Sequence, residues 1–196
     1  MLAECNVFPH ALLPLNIFEP RYRAMLAEAL RADRFIAVAT LIGGADEEWD
    51  ESDGNISPFS CAGLLRACVA QPDGTSRLIL QGVGRIEFTG WIQREPFRIA
   101  RCTAVPTEVR DESMARQLTA QTLARARATL PANSPIASQF DTQFGLLEDP
   151  EIVADVIGYN FLACATVRQP LLSMRCVEDR LEYILGRLAL VAPANE

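Results

Sequence analysis

Residues 8–23 read FPHALLPLNIFEPRYR and join an extended apolar segment directly to a helix. The apolar character of residues 11–18 predicts a strand, and Pro14, which has no backbone N–H, favours an edge or bulge position for it. Pro20 suits the first turn of a helix, where its missing N–H needs no partner. Apolar residues then recur at helical spacing as far as Leu30. The segment therefore predicts a strand followed at once by an early helix.

Four segments carry a strand pattern after this helix: 35–42, 58–70, 76–89 and 96–105. The first is a continuous apolar run that stops at Gly43-Gly44, which predicts a strand buried on both faces. Gln71-Pro72-Asp73-Gly74 predicts a turn between the second and third, because Pro presets φ and Gly tolerates a positive φ. Gly82 and Gly84 interrupt the third strand and indicate a bulge or sharp bend.

Helical patterns replace the strand patterns near residue 110. Residues 111–130 favour a helix, and Pro131 and Pro135 bracket a loop. Asp149-Pro150-Glu151 predicts a helix start, with a capping acceptor, Pro in the first turn and an acid beside it. A final apolar stripe follows, at 177, 181, 184, 185 and 188. Strands followed by helices indicate an α+β protein with a β-rich domain over residues 1–108 and a helical domain over residues 109–196.

The charge pattern excludes several kinds of chemistry. The chain carries a net charge of -7, and all 18 of its basic residues are arginine. A Walker A loop and a Ser-Lys dyad both need a lysine, so neither is expected here. The acidic balance also disfavours a phosphate-backbone partner, so we expect no nucleic acid as the main partner. No cofactor-binding motif is present, and Gly82 and Gly84 lack the third glycine of a dinucleotide fingerprint.

The cysteines and the single histidine give no metal-binding pattern. The six cysteines form no C-x-x-C pair, and His10 is the only histidine. A zinc site is therefore not expected, and the cysteines are interpreted as small buried hydrophobes of a reducing compartment. The amino terminus lacks the features of a signal peptide, and no apolar run approaches about 18 residues. We therefore expect a cytoplasmic protein without a membrane span.

The first segment also resembles a known family. Leu13-Pro14-Leu15, followed by Ile17-Phe18-Glu19-Pro20-Arg21-Tyr22-Arg23, is similar to the entry motif of the Lon protease amino-terminal, substrate-binding domain. Leu80 to Arg85 and Asp179 to Glu182 resemble later parts of that domain. The resemblance implies a PUA-like β pseudo-barrel with one early helix, followed by a C-terminal helical bundle. It also implies recognition of unfolded or damaged protein, without catalysis.

Two groups of residues are candidates for contact with a partner. Trp49, within the acidic loop 46–53, and Trp91 and Phe97, on the last strands, are the candidates for peptide binding. The alternative structural interpretations are a solvated loop for Trp49 and core packing for Trp91 and Phe97. The family-motif residues are interpreted as a structural corner with Tyr22 in the core: Phe18, Glu19, Pro20, Arg21 and Tyr22.

Three functions remain open from the sequence. The leading hypothesis is a non-catalytic module that binds unfolded or apolar polypeptide segments, or a partner protein. The second is an RNA-binding module, because PUA-like barrels elsewhere bind RNA. The third is a small hydrolase that uses a cysteine with His10 as its base. An apolar concave patch would favour the first hypothesis, and a polar cleft with a buried acid–base pair would count against it. A continuous arginine patch would favour the second, and a His10→Ala variant without any effect on activity would remove the only base of the third.

Overall fold

The structure is a computed structural model that describes residues 5–41 and 55–191. It divides into two compact units, Met1–Val105 and Pro106–Glu196. The named strands all lie in the first unit, together with one helix, and the other named helices lie in the second. The predicted α+β class, with one early helix and later helices, is confirmed.

The first unit is built on an antiparallel sheet. Its elements are β1 (Leu12–Ile17), α1 (Pro20–Arg31), β2 (Phe35–Ala37), β3 (Phe59–Ala70), β4 (Ser76–Gln93) and β5 (Ile99–Ala104). The strand order is β1-β4-β3-β2, and β5 pairs with the second part of the long strand β4. The register of β4 against β3 shifts at Gly82 to Gly84, which confirms the predicted bulge.

The inner face of this sheet forms the core of the first unit. Leu13, Leu80 and Leu65 pair across β1, β4 and β3, and all three are buried. Two glycines make room for close approaches on this face. A Cβ on Gly63 would lie 2.4 Å from the Leu80 side chain, and a Cβ on Gly82 would lie 1.8 Å from the Phe8 carbonyl oxygen.

Strand β2 differs from its prediction in two ways. It covers three residues, Phe35–Ala37, and it is not buried on both faces. Ile36 is buried, whereas Phe35 and Ala37 are exposed. The prediction was wrong because the outward positions of this strand are apolar as well, so its composition resembles that of a strand covered on both sides.

The described part of the second unit, residues 106–191, forms six helices. They are α2 (Glu112–Ala128), α3 (Pro135–Phe144), α4 (Pro150–Phe161), α5 (Ala165–Arg168), α6 (Pro170–Ser173) and α7 (Val177–Leu188). Asp111 and Asp149 cap α2 and α4, and each side chain accepts two backbone N–H bonds of the first turn. Helix α3 has no counterpart in the sequence interpretation. It begins at the Ser134 cap and buries Phe140, whose ring contacts the Phe144 and Phe161 rings edge-on.

A buried ion pair joins α4 to α7. The Arg180 and Asp155 side chains are fully buried, and Arg180 Nη1 lies 3.3 Å from Asp155 Oδ1. Arg180 Nη2 donates to the Thr107 hydroxyl at 3.0 Å and to the Arg175 carbonyl oxygen at 3.2 Å. The Thr107 hydroxyl in turn donates to Glu151 of α4. The network ties the segment that enters the second unit to two of its main helices.

The Glu178 carboxylate holds the same entry segment at a second point. Its Oε1 accepts the backbone N–H groups of Arg110 and Asp111, at 2.8 and 2.7 Å, and the Cys176 thiol donates to its Oε2 at 2.7 Å. Burial raises the pKa of Glu178. Hydrogen bonds from Cys176 and from the backbone of residues 111, 178 and 110 outweigh this effect and lower the pKa of Glu178 to about 2. Glu178 is therefore an ionised anchor.

Candidate functional site

The outward face of the sheet in the first unit carries many apolar residues. We call it the outer sheet face and define it by seven residues: Leu12, Pro14, Phe35, Leu64, Ala67, Val69 and Ile79. Antiparallel sheets with one solvated side usually carry polar residues there. Here the exposed fractions of Leu12, Phe35 and Val69 are 58%, 55% and 59%. The sheet therefore presents apolar side chains to solvent as well as to the core.

Strand register arranges these side chains in rows, because directly opposed residues of antiparallel strands share a face. The first row crosses four strands through Leu12, Gln81, Leu64 and Phe35. The second row contains Pro14, Ile79 and Ala67. With neighbouring strands roughly 4.8 Å apart, the first row is roughly 14 Å wide. Exposed apolar side chains grouped on one face of a sheet are typical of an interaction surface.

Two of the predicted peptide contacts lie elsewhere in the first unit, outside the outer sheet face. The Trp91 ring of β4 lies 5.6 Å from the Phe88 ring, and the Arg98 guanidinium lies 5.4 Å from the Trp91 ring centre. Phe97 is only 8% exposed, and Gln93 Nε2 donates to its carbonyl oxygen at 2.9 Å. Peptide binding by Trp91 and Phe97 stays a prediction. Trp49 and the acidic loop 46–53 lie outside the described residues.

The family-motif residues form a local cluster at the start of α1. Pro20 occupies the first turn, and Arg21 forms an ion pair with Glu19, with Nη2 and Oε2 2.9 Å apart. The Arg21 guanidinium also lies 4.7 Å from the Tyr22 ring centre. Tyr22 is half-buried, and Phe18 is exposed. These contacts lie at the corner between β1 and α1. Tyr22 is half-buried and not in the core as expected, and the structural role of the motif stays a prediction.

The histidine required by the hydrolase hypothesis lies in a turn before β1. His10 is exposed and has a φ of 65°. No hydrogen bond between its imidazole and a cysteine occurs within residues 5–41 and 55–191. Those same residues contain no group of three or more His, Cys, Asp or Glu side chains suited to hold a metal ion. No described helix combines the length and the apolar character needed to cross a membrane.

Comparison with protein families gives a match over nearly the whole chain. Residues 2–189 match the substrate-binding domain of the ATP-dependent protease La (LON). The chain belongs to this family. Among curated Lon proteases, that of Azorhizobium caulinodans is 26% identical over 185 residues, which are 94% of this chain and 21% of that protein. The Lon protease of Rhizobium meliloti is 24% identical, over 94% of this chain and 23% of that protein.

Solved structures of Lon domains share the fold. The N-terminal domain of Mycobacterium avium complex Lon protease superposes with a TM-score of 0.73 and 18% identity, covering 97% of this chain and 96% of that one. A Lon N-terminal domain protein from Xanthomonas campestris gives a TM-score of 0.63 and 18% identity, covering 94% of each chain. The chain therefore corresponds to the Lon substrate-binding domain, and it spans about a fifth of the curated Lon proteases that it matches.

The outer sheet face was not predicted from the sequence. Its residues come from four strands, and only the register brings them together. One signal was present. Residues 35–42 and the first half of β1 are apolar at consecutive positions, so some of their side chains must lie on each face of the sheet. Sequence alone could not tell whether the second face is covered or exposed.

Proposed function

We propose that this Lon-domain chain is a non-catalytic module that binds polypeptide through its outer sheet face. The observation that carries the proposal is the row across β1, β4, β3 and β2, whose members other than Gln81 are apolar and whose end residues, Leu12 and Phe35, are more than half exposed. Exposed apolar side chains of unfolded polypeptide would gain free energy by leaving water against this row. Folded proteins bury most such side chains, so the face would favour unfolded segments.

The family supports the same function. Its name describes a substrate-binding domain, and the substrates of the Lon proteases that contain it are proteins. The absence of lysine supports the non-catalytic part of the proposal, since it removes the Walker A and Ser-Lys mechanisms from this chain. The exposed turn position of His10 gives the hydrolase hypothesis no further support.

Substitution of the two ends of the row tests the proposal. Fluorescence anisotropy of a labelled, permanently unfolded polypeptide is measured against the wild-type chain and the double variant Leu12→Gln/Phe35→Gln. We expect saturable binding to the wild type and an affinity at least about tenfold lower for the variant, because it loses the burial of two large apolar side chains, each worth about 1.5–3 kcal/mol when complete, and about 1.4 kcal/mol corresponds to a tenfold change. Both side chains are already exposed, so the variant should remain folded, which circular dichroism checks.

Ile136→Gln is the matched control. Ile136 is 60% exposed and lies in α3 of the second unit, so its change removes an equally exposed apolar side chain elsewhere. The control should bind like the wild type. Equal affinity of the wild type and the Leu12→Gln/Phe35→Gln variant would contradict the assignment of the site. Tighter binding to single-stranded RNA than to the unfolded polypeptide would favour the RNA-binding hypothesis instead.

A further inference from the structure

We propose that the outer sheet face selects extended segments in which an apolar side chain is flanked by two carboxylates. This inference rests on the proposed function and adds a substrate class to it. It starts from the charged side chains on the face. The strand positions that face outward carry two arginines, Arg66 and Arg77, and no aspartate or glutamate.

Arg66 lies at the end of the apolar face nearest the first row. It is the extra residue where the register of β3 shifts between Leu65 and Ala67. Its Nε donates to Gln81 Oε1 at 2.5 Å, which holds the guanidinium beside the row of Leu12, Gln81 and Leu64. A guanidinium has five N–H donors, so this single hydrogen bond leaves donors suited to a carboxylate.

Arg77 lies at the opposite end. It pairs with Asn16 of β1 and Val69 of β3 and is exposed. The row of Pro14, Ile79 and Ala67 lies between the two arginines, because Ile79 is midway between Arg77 and Gln81 along β4. The two positive charges therefore bracket an apolar row.

Neither arginine is paired with a carboxylate in the part of the chain that the structure describes. Arg21, Arg110, Arg116, Arg127 and Arg180 by contrast each form an ion pair. The positive charges of Arg66 and Arg77 are therefore not neutralised by an ion pair within the described residues. Charge complementarity therefore points to a ligand that brings its own carboxylates.

The spacing of the two ends defines the ligand further. Gln81, which holds Arg66, and Arg77 are four residues apart on β4, a distance of roughly 13 Å along an extended strand. An extended ligand parallel or antiparallel to β4 spans the same distance between its residues i and i+4. Residues i, i+2 and i+4 of a strand share one face. The matching pattern is an acid, any residue, an apolar residue, any residue and a second acid.

Three synthetic peptides test the inference by fluorescence anisotropy at low salt. All have one length and one apolar central residue. The first has Glu at i and i+4, the second has Gln at those positions, and the third has the first peptide's composition with both Glu residues adjacent at one end. We expect the first peptide to bind about three- to tenfold more tightly than the other two, as two exposed ion pairs allow. Added salt should reduce that preference.

Two variants assign the preference to residues. Arg66→Gln/Arg77→Gln should bring the affinity ratio of the first and second peptides close to one. Arg116→Gln, which removes an exposed arginine of α2 in the second unit, should preserve the ratio. A ratio that survives in Arg66→Gln/Arg77→Gln would overturn the inference.

The peptides also separate the inference from the function on which it rests. Equal affinity of the Glu and Gln peptides would overturn the charge selection while leaving polypeptide binding in place. No binding of any of the three peptides, or of the unfolded polypeptide, would overturn the proposed function and the inference with it.

Discussion

Among single residues, Gly82 is the one whose missing side chain most directly shapes the sheet. Its backbone N–H donates to the Ala11 carbonyl oxygen at 2.9 Å, and its carbonyl oxygen accepts the His10 N–H at 3.0 Å. These bonds draw the segment before β1 onto β4. The space for a Cβ is already occupied by the Phe8 carbonyl oxygen.

Gly82→Ala should therefore destabilise the first unit. The new Cβ would lie 1.8 Å from a backbone atom, which cannot move without displacing the chain that leads into β1. We expect a loss of about 1–3 kcal/mol in the free energy of unfolding, measured by urea titration. Gly84→Ala is the control, since a Cβ there meets nothing within 4 Å. An equal loss in both variants would contradict the close-approach explanation.

Glu178 should make the stability of the second unit pH-dependent. Its pKa is lowered from 4.5 to about 2, so the unfolded chain takes up the proton more readily than the folded one. The stabilisation is complete above pH 4.5 and is lost as the pH falls to about 2. The wild type should exceed Glu178→Gln in free energy of unfolding at neutral pH, and the gap should close across that window. A gap independent of pH would contradict the ionised anchor.

Residue patterns predict the local backbone features of the fold better than they predict its candidate site. The Gly82–Gly84 bulge and the Pro20 helix start follow from backbone chemistry, which is local. The exposure of Phe35 does not, because it depends on whether another part of the molecule covers the outer sheet face. The sequence therefore identifies these residues as apolar, but it does not predict whether the tertiary structure buries or exposes them.

Among the elements, α4 and α7 depend on each other through the Arg180–Asp155 pair. Asp155→Ala would leave the Arg180 guanidinium buried without its fully buried partner carboxylate. We expect a loss of about 3–5 kcal/mol in the free energy of unfolding, measured by denaturant titration. The exposed i,i+4 pair of Arg116 and Glu112 supplies the control, and Arg116→Ala should change stability by less than about 1 kcal/mol. Similar losses would refute a special role for the buried pair.

Element boundaries were predictable where a cap marks them. Asp149-Pro150-Glu151 identified the start of α4 because a capping carboxylate, a proline and an acid act within one turn. Helix α3 carries a comparable Ser134-Pro135 start but was not recognised. Pro131 before it and Pro135 at its first position are together typical of a loop, and the helix is held by the burial of Phe140 against Phe144 and Phe161.

At the scale of the whole molecule, we propose that this Lon substrate-binding domain binds polypeptide through a sheet that carries apolar residues on both faces. One face of the sheet forms the core of the first unit, and the other presents Leu12, Phe35 and Val69 to solvent. The chain has a net charge of -7, yet the charged strand residues of that outer face are arginines. Local chemistry of this face, and not the total charge, should therefore decide which polypeptides bind.

The most direct test is to locate a bound unfolded polypeptide by NMR of Ile, Leu and Val methyl groups in the intact chain. The account predicts that titration shifts the methyl signals of Leu12, Leu64, Val69 and Ile79, while those of Ile136 and Leu146 in the second unit stay unchanged. Shifts confined to Ile136 and Leu146, with the outer sheet face unaffected, would contradict it.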